Sequence, residues 1–75
     1  MEQCYKRLGK AIKESRLEIG MRQEDLAKKA KMSRPALANI EAGRQRIALH
    51  DIFKLEKIFG VRNMLINIAR GRNTL

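Results

Sequence analysis

The 75-residue chain carries 17 Lys+Arg against 8 Asp+Glu, a formal net charge of +9, with 44% apolar residues. That length fits one domain, residues 1–75, whose apolar content suffices for a small core but leaves a thin stability margin that association would widen. One Cys (Cys4), one His (His50) and no apolar run longer than three residues exclude an intrachain disulfide framework, a structural zinc site, a membrane span and a visible signal segment. The expectation is a cytoplasmic protein with no metal and no cofactor.

The patterning is helical throughout: Pro occurs once and no β-branched alternating run appears. A first helix over residues 5–18 has Leu8, Ile12 and Ile19 on one stripe, with Ala11 and Ser15 between them, and Gly20 ends it. A second helix over 23–30 places Leu26, Ala27 and Ala30 on one side; Glu24 and Asp25 suit its positive end, Lys28 and Lys29 its negative end. After the break Lys31-Met32-Ser33, Ser33 reads as an N-cap and Pro35 falls in the first turn of a third helix over 34–41, with Leu37 and Ile40 inward. Ala42-Gly43 closes it, and a basic loop, Arg44 to Arg46, follows. A fourth helix over 49–59 carries Leu49, Ile52, Phe53, Leu55, Ile58 and Phe59 and is capped by Gly60. A fifth, over 62–69, carries Met64, Leu65, Ile66 and Ile68. The fold class is all-α, a compact five-helix bundle, with residues 71–75 as a frayed tail.

The charge is unevenly placed. Residues 28–46 hold six cations and one acid, Glu41, whereas the first 27 residues hold six and five. A surplus of this kind serves nucleic acid, an anionic membrane surface or solubility, and a solvated basic face is the bland reading.

Two short helices joined by a three-residue turn are the units of a helix-turn-helix. Residues 8–61 resemble the Cro/repressor-type (XRE-family) DNA-binding domains. The matching words are LGKAIKESR, GMRQEDLAKKA, SRPALANIEAGR and KLEKIFGV, of which Q-x-x-L-A at 23–27 followed by I-E-x-G at 40–43 is the strongest part. The resemblance implies a second helix crossing the sugar-phosphate backbone and a third in the major groove. Small Ala27 and Ala30 let the two helices approach, and Leu26, Leu37 and Ile40 fill the wedge between them.

The resemblance assigns further roles. Gln23 contacts a phosphate, or else serves as a capping side chain. Arg34, Pro35, Ala36 and Asn39 face bases: Arg34 matches guanine O6 and N7, Asn39 matches adenine, and Pro35 and Ala36 can only pack against a thymine methyl. Arg34 could instead clamp a phosphate, and Asn39 could instead face solvent. Ser33, Arg44, Gln45 and Arg46 contact phosphate; Lys28, Lys29 and Lys31 are ambiguous. Arg16 and Glu41 form a structural salt bridge, with Arg16 also in reach of phosphate. Three residues depart from the pattern: Arg22 where Ser or Thr usually caps the second helix, Lys31 where the turn usually has Gly, and Ile47 where Pro often stands.

The fourth and fifth helices have more apolar surface than one inward face requires. Leu49, Phe53, Met64, Leu65, Ile66 and Ile68 are therefore candidates for a homodimer interface, with 61–70 as the dimerisation segment; the alternative is that they complete the monomer core. Two functions compete. One is a sequence-specific regulator binding double-stranded DNA at a palindromic operator, similar to compact phage repressors and restriction-modification controllers, with no ligand domain and RNA polymerase as a further partner. The other is an antitoxin whose hydrophobic helix covers a toxin while it binds its own operator. An enzyme is not expected: no Ser/His/Asp set or Gly-rich phosphate loop is visible. His50 reads as a surface residue that does not face Asp51, and Cys4 as an incidental thiol in a frayed segment.

Overall fold

The computed structural model describes residues 2–71. These form α1 (Glu2–Glu18), α2 (Gln23–Lys29), α3 (Arg34–Glu41), α4 (Leu49–Phe59) and α5 (Met64–Ala69), an all-helical bundle with no strand among the described residues. None of these helices is long and apolar enough to cross a membrane. One face of α1 packs on α3 and α5, α2 packs on α3, and α4 packs on α5. Their shared core holds Leu8 and Ile12 of α1, Leu26 and Ala27 of α2, Leu37 and Ile40 of α3, Ile52 and Leu55 of α4, and Leu65 and Ile66 of α5.

Backbone chemistry sets the helix ends. Gly20 and Gly60 are left-handed (φ 73° each), which lets Met21 N–H donate to the Arg16 carbonyl and Val61 N–H to the Glu56 carbonyl, 3.0 Å in both cases. These are the wrapped ends that glycine allows. Lys31 is also left-handed, at φ 55°, as the departure from Gly at that place implies. Arg22 gives α2 no side-chain cap. It instead lies 3.3 Å from Asp25 in an exposed ion pair, which contributes little.

Several sequence expectations are corrected. Ile19 does not continue the inner stripe: α1 stops one residue before it, and its side chain is exposed. The first helix begins at Glu2 rather than residue 5, so Cys4 lies within α1, half-buried, beside Gly71. The last helix begins at Met64 rather than 62, because Asn63 takes up left-handed geometry at φ 63°. His50 Nε2 comes within 3.5 Å of Asp51 Oδ1, so the two neighbours do meet at the surface. Of the expected frayed tail, Gly71 closes a turn and 72–75 lie outside the described residues.

Fixing a β-carbon in the left-handed region costs about 1 kcal/mol relative to glycine. Lys31→Gly should therefore raise the midpoint of thermal unfolding by roughly 4–8 °C, the usual response of a domain this size to 1 kcal/mol. Circular dichroism melts of the two proteins check this.

Candidate nucleic-acid interface

The two central helices are held at a fixed angle by a buried polar cluster. Glu41, the last residue of α3, accepts from Arg16 Nε at 2.8 Å and Arg16 Nη2 at 3.1 Å, a bidentate pair with both side chains buried. Arg16 Nη1 donates to the Met21 carbonyl at 2.9 Å, in the turn between α1 and α2. Gln23, the first residue of α2, donates from Nε2 to Glu41 Oε1 at 3.0 Å. One carboxylate thus ties together the end of α1, the start of α2 and the end of α3. All three guanidinium nitrogens of Arg16 are engaged inside, so its expected reach to phosphate is lost. The Gln23 amide is neither idle nor a cap: it belongs to the cluster, and it keeps a second N–H and its carbonyl oxygen for another partner.

Gly9 makes this crossing possible. A Cβ there would lie 2.2 Å from the Ile40 carbonyl oxygen and 2.8 Å from that of Glu41, so only glycine lets α1 settle on the end of α3. Behind the turn between α2 and α3, Lys54 of α4 donates to the Ala30 carbonyl at 2.8 Å and braces the end of α2.

At the front of α3, Ser33 Oγ accepts from Ala36 N–H at 3.2 Å, the expected N-cap. With Leu37, Ile40 and Glu41 turned inward, the outward side of α3 consists of Pro35, Ala38 and Asn39, flanked by Arg34 and Ala36. Arg34 and Pro35 are exposed; Ala36, Ala38 and Asn39 are half-buried. Ala38 was not expected here, although its position one turn after Arg34 was there to read. Only Arg34 and Asn39 offer polar groups on this side.

The loop after α3 begins at Gly43, left-handed at φ 76°, where an added Cβ would meet Lys6 Cγ at 2.6 Å. Arg44, Gln45 and Arg46 are all exposed. The Arg46 guanidinium sits 5.6 Å from the centre of the Tyr5 ring, a cation–π contact that seats the loop on the first turn of α1.

The Helix-turn-helix family model matches residues 12–62, more than half of the chain. The chain belongs to the XRE-type helix-turn-helix family. It is a DNA-binding transcription regulator, and this family is regulatory rather than catalytic. No curated protein and no solved structure matches it significantly. In helix-turn-helix terms the matched span holds α2, the turn and α3 entire, together with Arg16 and Glu41.

The residues expected at a dimer face separate. Leu49 and Phe53 are 56% and 49% exposed and lie one turn apart on α4. Met64 and Ile68 are half-buried against the core. Leu65 and Ile66 are a correction: at 0% and 9% exposure they fill the core of their own chain and are not available to a partner. A buried carboxylate missed in the sequence explains how α5 is held, since Glu56 Oε2 accepts from Ile66 N–H at 3.0 Å in the first turn of α5.

Removing one partner of a buried pair leaves an uncompensated charge, at a cost of about 3–5 kcal/mol. Glu41→Ala should therefore destabilise the chain by that amount, as should Arg16→Ala. The double substitution Arg16→Met/Glu41→Leu should recover most of the loss. Urea unfolding of the single and double variants measures the loss and its recovery.

Proposed function

We propose that this regulator acts as a homodimer on a two-fold symmetric operator, with α3 in the major groove of each half-site. The observation that carries the reading is the buried Arg16–Glu41–Gln23 cluster. It fixes α2 against α3, so that the side of α3 bearing Arg34 and Asn39 and the cationic loop Arg44–Arg46 adjoin as one surface. Gln23 brings its free amide hydrogen and the first backbone N–H groups of α2 to one phosphate. Ser33, Arg44, Gln45 and Arg46 take others.

In this reading Arg34 donates two hydrogen bonds to a guanine and Asn39 pairs with an adenine. Pro35 and Ala36 pack on thymine methyls. The small side chains between the two polar readers let the helix backbone sit close to the base edges. Two copies meet through Leu49 and Phe53, with Met64 and Ile68 at the rim. Two chains of +9 repel each other, and this opposes pairing most at low salt. Salt therefore strengthens the free dimer and weakens the complex with DNA.

With roughly 3–5 phosphate contacts per subunit, log K against log[salt] should fall with a slope of about −5 to −9 for the dimer, read by anisotropy on an operator located by footprinting the DNA upstream of the protein's own gene. A flat profile overturns the DNA-binding surface. Arg34→Ala should cost about 1–3 kcal/mol and relax preference at one symmetric pair of positions. Arg44→Ala should weaken operator and random DNA alike; competition against single-base variants separates the two effects. Phe53→Lys should leave a folded monomer in sedimentation at tens of micromolar. The unsubstituted chain should pair more tightly as salt rises, and a monomer at every salt concentration refutes the dimer.

A further inference from the structure

Five cations lie on α1, and they are sorted by face. Cys4, Ala11 and Ser15, all half-buried, occupy one flank, and Cys4 lies beside Gly71 after α5. Gly9 and Arg16 meet the end of α3. Just past that contact, on the flank away from Cys4, come Lys6, Lys10 and Lys13 at i, i+4 and i+7, all exposed. The ion pairs of the described residues use Arg16, Arg22, His50 and Lys54, and none of these three lysines lies within 4.0 Å of a described carboxylate.

Placement gives this stripe a direction. Lys6 touches the loop itself, because the β-carbon that Gly43 lacks would fall 2.9 Å from Lys6 Cα. Arg46 is stacked over Tyr5, one residue earlier on the same helix. The cationic loop therefore runs directly into the stripe. From Lys6 to Lys13 the helix rises about 10 Å. One strand of a duplex carries about three phosphates over that distance along its axis.

We propose that this flank of α1 is a second phosphate-binding element, in which Lys6, Lys10 and Lys13 grip the duplex outside the base pairs faced by α3. This rests on the DNA-binding reading above and extends it to DNA flanking each half-site. The ligand is the sugar-phosphate backbone of duplex DNA, taken without regard to sequence. The element lengthens the footprint and adds affinity that increases with duplex length.

The test uses the full chain, two operator duplexes and two charge-matched variants. One duplex ends at the footprinted half-sites, and the other extends about 8 base pairs, roughly 27 Å, beyond each. Lys6→Gln/Lys10→Gln removes two charges from the stripe, and Lys57→Gln/Arg62→Gln removes two exposed charges elsewhere. Circular dichroism confirms that both variants fold. The unsubstituted chain should bind the longer duplex more tightly, with a steeper salt dependence. Each added contact steepens the slope by about 0.9, which is a further loss of about 3.5-fold between 50 and 200 mM salt. Lys6→Gln/Lys10→Gln should lose this increment and keep its affinity for the short duplex and its operator preference; Lys57→Gln/Arg62→Gln should keep all three. Equal binding of the two duplexes by the unsubstituted chain overturns the proposal while leaving the DNA-binding reading intact. So does an increment that survives in Lys6→Gln/Lys10→Gln or disappears in both variants. Failure of every duplex to bind overturns both.

Discussion

The buried pair between Arg16 and Glu41 is the constraint on which the interface depends. Two charges taken out of water are expensive to bury, and such a pair repays its desolvation only with good geometry and further hydrogen bonds. Both conditions are met. The pair is bidentate, the third guanidinium nitrogen is satisfied by the Met21 carbonyl, and the carboxylate takes a further bond from Gln23. The pair's net contribution to stability is therefore small compared with the penalty for breaking it. Its direct consequence is orientation. An apolar wedge of Leu26, Leu37 and Ile40 would allow α3 to slide, because the hydrophobic effect has no direction. A carboxylate on α3 that is bonded from both α1 and α2 has one position. Gly9 completes the arrangement by letting the α1 backbone come against the last carbonyls of α3.

What could be read from the sequence follows from the range of each interaction. Helices α3 and α4 were placed to the residue, because their ends are determined by local chemistry: Ser33 before Pro35, Gly43 and Gly60 after. The Arg16–Glu41 pair, 25 residues apart, was reachable only through resemblance to a family, since nothing local marks it. Interactions across similar distances without such a guide were not legible. Lys54 on the Ala30 carbonyl and Glu56 on the Ile66 amide both resemble ordinary solvated residues of an amphipathic helix. Gly9 carries no local signal of its own, and its purpose appears only when α3 is in place. The assignment of Leu65 and Ile66 to a partner failed for a similar reason. In a helix of only six residues the apolar pattern goes nearly all the way round, so periodicity does not distinguish core from interface.

The outward side of α3 suggests how affinity and specificity are divided. Two side chains there can exchange hydrogen bonds with bases, and the rest are small or apolar. If α3 is the reader as proposed, so few donors distinguish few positions directly, and the remainder of the selectivity would come from how readily a sequence takes the shape the protein imposes. In the same proposal affinity comes mostly from the cations around the helix-turn-helix. On the proposed reading the relative placement of loop and helix is important, since phosphate contacts would set the register in which Arg34 and Asn39 meet the base edges. The stacking of Arg46 on Tyr5 serves that placement even before DNA is present.

The same arithmetic bears on the dimer. With Leu65 and Ile66 committed to the core, Leu49 and Phe53 are the exposed large apolar side chains of α4 that the proposed dimer has to use. That is little area for a stable interface, and the mutual repulsion of two strongly basic chains reduces it further. Duplex DNA alters both terms. Its phosphates would neutralise the repulsion, and two half-sites would hold the subunits at an effective concentration in the millimolar range, so a proposed dimer that is weak between free chains tightens on the operator. Glu56 then matters for regulation as well as stability. By holding the first turn of α5 it fixes where Met64 and Ile68 sit against the core, and in the proposed dimer this sets how two copies can meet. On that proposal half-site spacing depends on Glu56, a buried carboxylate on α4.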